Sequence, residues 1–187
     1  MLISDAQRDI GRAYVGGGPG VMVSALIWFV AAFVQHSQGT GAAFAVLFFG
    51  GMVIFPASKL IARLAFHRDN ESPNNPLGMT ALESTIAMIG GLLAAWLFLP
   101  SQPGLVFPLA AIAVGTHYAV FKTVYGDRLF WALGGIVTAI GLFDIFAAPL
   151  QGAVALLVAI TELAFGILLT ARALRPDMGA RTGRSRA

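Results

Sequence analysis

Cysteine is absent from the chain. That excludes disulfides, thiol nucleophiles and cysteine-ligated metal or iron–sulfur centres. Charge is scarce too: 11% of the residues are Asp, Glu, Lys or Arg, where a soluble domain carries about a quarter. Histidine occurs three times, as His36, His67 and His117, and no H-E-x-x-H spacing is present. A catalytic metal needs several nitrogen or carboxylate ligands at close spacing, so no metal site and no cofactor is expected. No G-x-S-x-G marks a serine nucleophile. Enzyme chemistry therefore has little support in the sequence.

What is present is apolar. Hydrophobic residues make up 57% of the 187 positions, and the mean hydropathy is +0.78. A run of about 20 apolar residues crosses a bilayer as a helix. Six such runs occur, over residues 17–34, 42–65, 79–99, 105–125, 129–147 and 150–174. They predict an all-α membrane protein of six transmembrane helices in a single domain. Pro149 separates the last two runs, since proline removes a helix hydrogen bond and clashes with the preceding turn. The first run lacks the basic leader and small-residue cleavage site of a signal peptide, so it reads as a retained span.

The basic residues sort cleanly. "QHSQGT", "PSQPG" and "AAPLQG" contain no Lys or Arg, while all twelve Lys and Arg fall in or beside the other connections and the two termini. The positive-inside rule then puts both termini in the cytoplasm, here of a bacterial plasma membrane. The pI near 9.8 follows from these topological charges and does not indicate nucleic acid. The expected partner is the lipid bilayer. The basic tail, residues 175–187, reads as disordered and suited to anionic headgroups. A homo-oligomer is compatible with the sequence.

"SDAQRDIGRAY" at the N-terminus can form a short helix capped by Ser4 and Gln7. Ile3, Ile10 and Tyr14 would then face the inner leaflet, with Arg8 and Arg12 among headgroups. It reads equally well as the start of the first span. The spans themselves admit three helical hairpins, 1–2, 3–4 and 5–6, with adjacent glycines on odd spans and a polar cluster on even ones.

Lipid gives helices no hydrophobic reason to associate, so small residues at spacings of four mark packing seams. Gly16, Gly20 and Ser24 form one stripe. Glu83, Ala87, Gly91 and Ala95 form another; Gly134, Thr138 and Leu142, and Glu162, Gly166 and Thr170, form two more. The run Gly16, Gly17, Gly18, Pro19, Gly20 has two readings. It is a packing and opening turn with proline in the first helical turn, or an unwound turn whose N–H groups face an anion.

Ionisable residues inside spans are costly and mark candidate sites. His117 and Glu162 each lie roughly 18 Å below the outer ends of their spans, at about 1.5 Å per helical residue. Matching depth allows them to pair, with Tyr118 beside them. Glu83 lies near the inner interface, where Lys59 and Lys122 could pair with it or snorkel to headgroups. Asp144 is near the outer end. Taken as a chain, His117, Glu162, Tyr118, Glu83, Lys122 and Lys59 could relay protons or bind a small solute near the midplane. The competing reading is that these residues hold neighbouring spans together in a non-transporting structural or stress-response protein.

Two motifs carry a family resemblance. Tyr14, Gly16 and Gly17 fit Y-x-G-G at a first span. Gly115, His117, Tyr118, Phe121, Tyr125 and Gly126 fit G-x-H-Y-x-x-F…Y-G in a later one. Together they resemble an uncharacterised bacterial family of small six-span integral membrane proteins. Its members often have Leu-Pro before the Phe, where this chain has Ala119 and Val120. The resemblance implies the six-span fold over most of the chain and no activity. Topology alone is similar to that of six-span stress-associated bacterial membrane proteins.

Overall fold

The computed structural model describes residues 1–147, 149–150 and 152–175. Most of the basic tail lies outside these. Within them the chain is all-helical: α1 (Ile3–Ala13), α2 (Gly18–Gln38), α3 (Thr40–Leu64), α4 (Pro76–Trp96), α5 (Val106–Tyr125), α6 (Leu129–Phe146) and α7 (Val154–Ala173). The helices α2 to α7, with short 3-10 turns prefixed to α2 and α5, are six segments long and apolar enough to cross a membrane. Their mean hydropathies lie between 1.5 and 2.3. The chain is thus a multi-pass integral membrane protein. The spans differ from the predicted ones at their ends: α4 begins and finishes three residues early, because Asn75 caps it and Pro76 supplies its first turn.

Three helices are central and three peripheral. About half of the α2, α5 and α7 spans is buried in the protein, against 17% of α3 and 11% of α4. The outer faces of α3 and α4 carry Phe49, Met52, Phe55, Leu82, Ile86 and Trp96, the large exposed side chains that lipid would cover. Hydroxyls on exposed faces are satisfied locally: Thr116 and Thr161 each donate to a carbonyl four residues back.

The predicted hairpins hold in part. α2 packs on α3 and α4 on α5, but α7 packs chiefly on α2, not on α6, and α6 packs chiefly on α5. Glycines explain both closest seams. A Cβ on Gly18 of α2 would strike Thr170 Oγ1 and sit 2.6 Å from its N and 2.7 Å from the Gly166 carbonyl on α7. A Cβ on Gly115 of α5 would strike Thr138 Oγ1 and sit 2.6 Å from its N and 2.7 Å from the Gly134 carbonyl on α6. Each seam sets a glycine against a Gly-x-x-x-Thr step, so backbones touch without side chains between them. Leu142, the third member of one predicted stripe, is 42% exposed and takes no part.

The N-terminal helix is a separate element. Ala6, Ile10 and Ala13 are buried against protein, so Ile10 does not face the leaflet. Leu2 occupies the cap position, and no side chain, Ser4 included, caps the helix. Polar contacts fasten it: the Asn75 amide donates to the Ala6 carbonyl at 2.9 Å and to Asp9 Oδ2 at 3.0 Å, and the Ser72 N–H donates to Asp9 Oδ2 at 2.7 Å. Gln7 donates to the Thr123 carbonyl at 2.8 Å. Between α1 and α2 the chain turns through Val15, Gly16 and Gly17, all at positive φ. Glycine accepts that conformation freely, whereas Val15, at φ 52°, is a strained β-branched residue held by a buried side chain.

Candidate functional site

At the middle of the bundle the Glu162 side chain is fully buried. It points from α7 toward α5, where the Tyr118 hydroxyl donates to its Oε1 at 2.9 Å. Ser24 and the Trp28 indole approach the same carboxyl from α2. Oε2 is buried and has no hydrogen-bond partner. No cation lies within ion-pair distance of this carboxyl among the described residues. Around it stands a close-packed shell, with Trp28 set against Phe107 at 6.0 Å between ring centres. Three helices therefore meet at one acid, which a phenol, a hydroxyl and an indole approach. Such a centre can hold helices in register. It can bind a proton or a small polar solute only if water reaches it.

His117 is not joined to Glu162. Its Nδ1 shares a 2.8 Å hydrogen bond with the Ser84 hydroxyl of α4, and its ring meets Phe121 edge-on at 4.4 Å. Tyr118, the next residue, turns the other way toward α7. Adjacent residues on α5 thus fasten two different neighbours: His117 holds α4, and Tyr118 holds α7. The matching depths of His117 and Glu162 suggested a pair, but the helix rotation of about 100° between successive residues sends them apart.

The remaining polar residues are dispersed. Glu83 is exposed and forms no ion pair among the described residues, with neither Lys59 nor Lys122 as partner. Lys59 Nζ lies 5.9 Å from the Phe55 ring centre, and Lys122 Nζ 5.0 Å from that of Trp131. Lys59 uses a ring one turn back on α3, and Lys122 uses a ring of the next helix, α6. Asp144 Oδ1 accepts the Leu150 N–H at 2.6 Å and so closes the α6–α7 connection. Of the glycine run, Gly18 lies in the α2–α7 seam, Gly20 faces Ser58 on α3, and Gly17 gives room to the rings of Tyr125 and Phe130. Ser24 joins the Glu162 centre.

The structure also gathers what sequence reading left apart. The segments predicted for the positive side, namely α1, the α3–α4 loop, the α5–α6 turn and the end of α7, all meet at one end. Arg12 donates to the Asn70 carbonyl at 3.1 Å and pairs with Asp9 at 3.1 Å. Arg172 pairs with Asp127 at 3.3 Å, and Asp127 also accepts the Leu129 N–H at the start of α6. Two adjoining openings are found at this basic end, and neither is lined by Glu162, Tyr118 or His117. The Asn75 amide, the Ser72 N–H and the neighbouring Arg12 hold the Asp9 carboxyl below its usual range. Burial, together with the adjacent Glu71 carboxyl, pushes the Tyr14 hydroxyl up.

A six-span bundle with a buried carboxyl at its centre and a basic end defines a class: small polytopic membrane proteins. A family model described as a family of unknown function, DUF7010, matches residues 3–172, and the chain belongs to that family. No curated protein and no solved structure matches the chain.

Proposed function

We propose that this protein is a non-transporting membrane protein of the bacterial plasma membrane, with both termini cytoplasmic, whose polar centre locks the bundle and whose working surface is the basic end. The observation that carries the proposal is the burial of Glu162. The carboxyl is fully enclosed, bonded to Tyr118 and packed by Trp28, and the two openings at the basic end are not lined by it. A solute or proton path needs water at the acid, and a dry hydrogen-bonded centre needs none. The orientation rests on the gathering of the basic segments at one end.

Proton-linked transport of a small solute is the second reading, favoured by one observation: Glu162 Oε2 is buried without a partner. Buried polar atoms lacking partners are rare and often functional. Water access separates the two readings. The chain has no cysteine, so Ser24→Cys creates a unique thiol beside the carboxyl. With a small charged methanethiosulfonate reagent applied to membranes from either side, that thiol stays unmodified under the structural reading. Rapid modification, from one side or both, establishes an aqueous path and gives the case to transport.

A further inference from the structure

The basic end carries a cavity of about 540 Å³ whose wall includes Arg8 and Arg12 of α1, Arg68 of the α3–α4 loop and Arg172 of α7. Among the described residues the one acid on this wall is Asp127. From these observations we infer that the cavity is a binding site for a phosphate-type oxyanion.

Several features converge on that ligand. Four arginines from three parts of the chain line one space. A planar fork of N–H donors suits phosphate oxygens better than any other side chain does. Three of the four are partly neutralised: Arg8 pairs with Asp5, Arg12 with Asp9 at 3.1 Å and Arg172 with Asp127 at 3.3 Å. Arg68 has no carboxylate within ion-pair distance among the described residues, and its Nε is buried with no hydrogen-bond partner. A buried guanidinium N–H without an acceptor is costly, and a bound oxyanion supplies one.

The wall is not all polar. Val15, Leu169 and Ala173 face the same cavity at the end of the bundle. The ligand's phosphate could therefore belong to a lipid headgroup held at the membrane surface or to a soluble phosphate compound. The chemistry is the same and the source is open to experiment. This inference does not rest on the non-transporting reading of Glu162; a transporter could carry the same site.

The test uses the full chain in nanodiscs. One arm titrates inorganic phosphate and pyrophosphate into protein in purely zwitterionic phosphatidylcholine. The other compares thermal stability in phosphatidylcholine with that in discs containing phosphatidylglycerol. Binding in the first arm assigns a soluble ligand, and stabilisation confined to the second assigns a headgroup; either supports the site. Arg68→Gln should weaken the response by about tenfold or more, as loss of a charge-assisted bond does, and Arg68→Lys should restore part of it. Arg8→Gln, at a highly exposed position, tests the same wall in a variant that folds regardless. Added chloride salt should weaken binding in both arms. No response to either phosphate or anionic lipid overturns the inference, as does a response that both glutamine variants leave intact.

Discussion

The Tyr118 hydroxyl donates to Glu162 Oε1 at 2.9 Å, a bond that ties α5 to α7 inside the bundle with both side chains buried. Its neighbour His117 ties α5 to α4 through Ser84 at 2.8 Å. One turn of α5 therefore organises helices on both of its sides. Interhelical hydrogen bonds of this kind contribute about 0.6 kcal/mol on average, and up to about 1.7. Tyr118→Phe should cost that or slightly more, since it leaves Oε1 unpaired as well. Glu162→Gln, which keeps an acceptor oxygen and the side-chain shape, should cost less than Glu162→Ala, which adds a void and should cost about 2–4 kcal/mol. Unfolding titrations in mixed micelles would order the three variants. A Glu162→Ala protein as stable as wild type would mean the centre does not hold the bundle.

The two glycine seams make a separate prediction. Gly18→Ala and Gly115→Ala place a Cβ against backbone atoms of the facing helix, at 2.6–2.7 Å in each case. Helix axes must move apart, and each change should cost about 1–3 kcal/mol as overpacking does. Gly135→Ala meets nothing within 4 Å and should leave stability unchanged or slightly higher. The same unfolding measurement reads all three. Equal stabilities would show that the α2–α7 and α5–α6 contacts are loose.

Acid should release the N-terminal helix. Asp9 is held below the ordinary carboxylate range, first by Asn75, then by the Ser72 N–H, then by Arg12. Its folded-state pKa is thus depressed relative to the undocked chain. The stabilisation is present above the ordinary value and disappears as pH falls through the lowered one. Hydrogen exchange over residues 3–13 should remain slow at neutral pH and at pH 5, then accelerate below about pH 4. In Asp9→Asn that acid step should vanish, with protection reduced at every pH. A step of the same size in the variant would assign the transition to another group.

Topology can be read with the missing cysteine. Asn70 and Ser101 are both exposed, the first in the α3–α4 loop at the basic end and the second in the α4–α5 connection at the other. In intact cells, Asn70→Cys should resist an impermeant maleimide and Ser101→Cys should react. The reverse pattern would invert the proposed orientation.

Much of the fold was legible in the sequence because the bilayer imposes it. Spans need length and apolarity, and both are visible in single runs of residues. The segregation of Arg and Lys foretold which segments would gather at one end. The Glu162, Gly166 and Thr170 stripe is buried against α2, as its spacing suggested. Neighbour choice was less visible. Nothing local says that α7 will leave α6 for α2, since that depends on the shape of Gly18 against Thr170. The site shows the same divide. Glu162 and Tyr118 stood out as ionisable and aromatic residues at mid-depth. Their contact did not, nor did the partnership of His117 with Ser84, because depth fixes one coordinate and helix rotation the other. The α1 docking was hidden in Asp9 and Asn75, which meet only after α3 returns to the starting side. The arginines of the cavity were read as topology signals, and their convergence is a property of tertiary structure.

The central claim is that the Glu162 centre locks the bundle and passes nothing. Proteoliposomes loaded with a pH-sensitive dye and given a proton gradient, with potassium and valinomycin to clamp the voltage, test it most directly. The account predicts dye traces from wild-type protein that match both empty liposomes and Glu162→Gln. A wild-type proton flux above the empty control, abolished by Glu162→Gln, would contradict it.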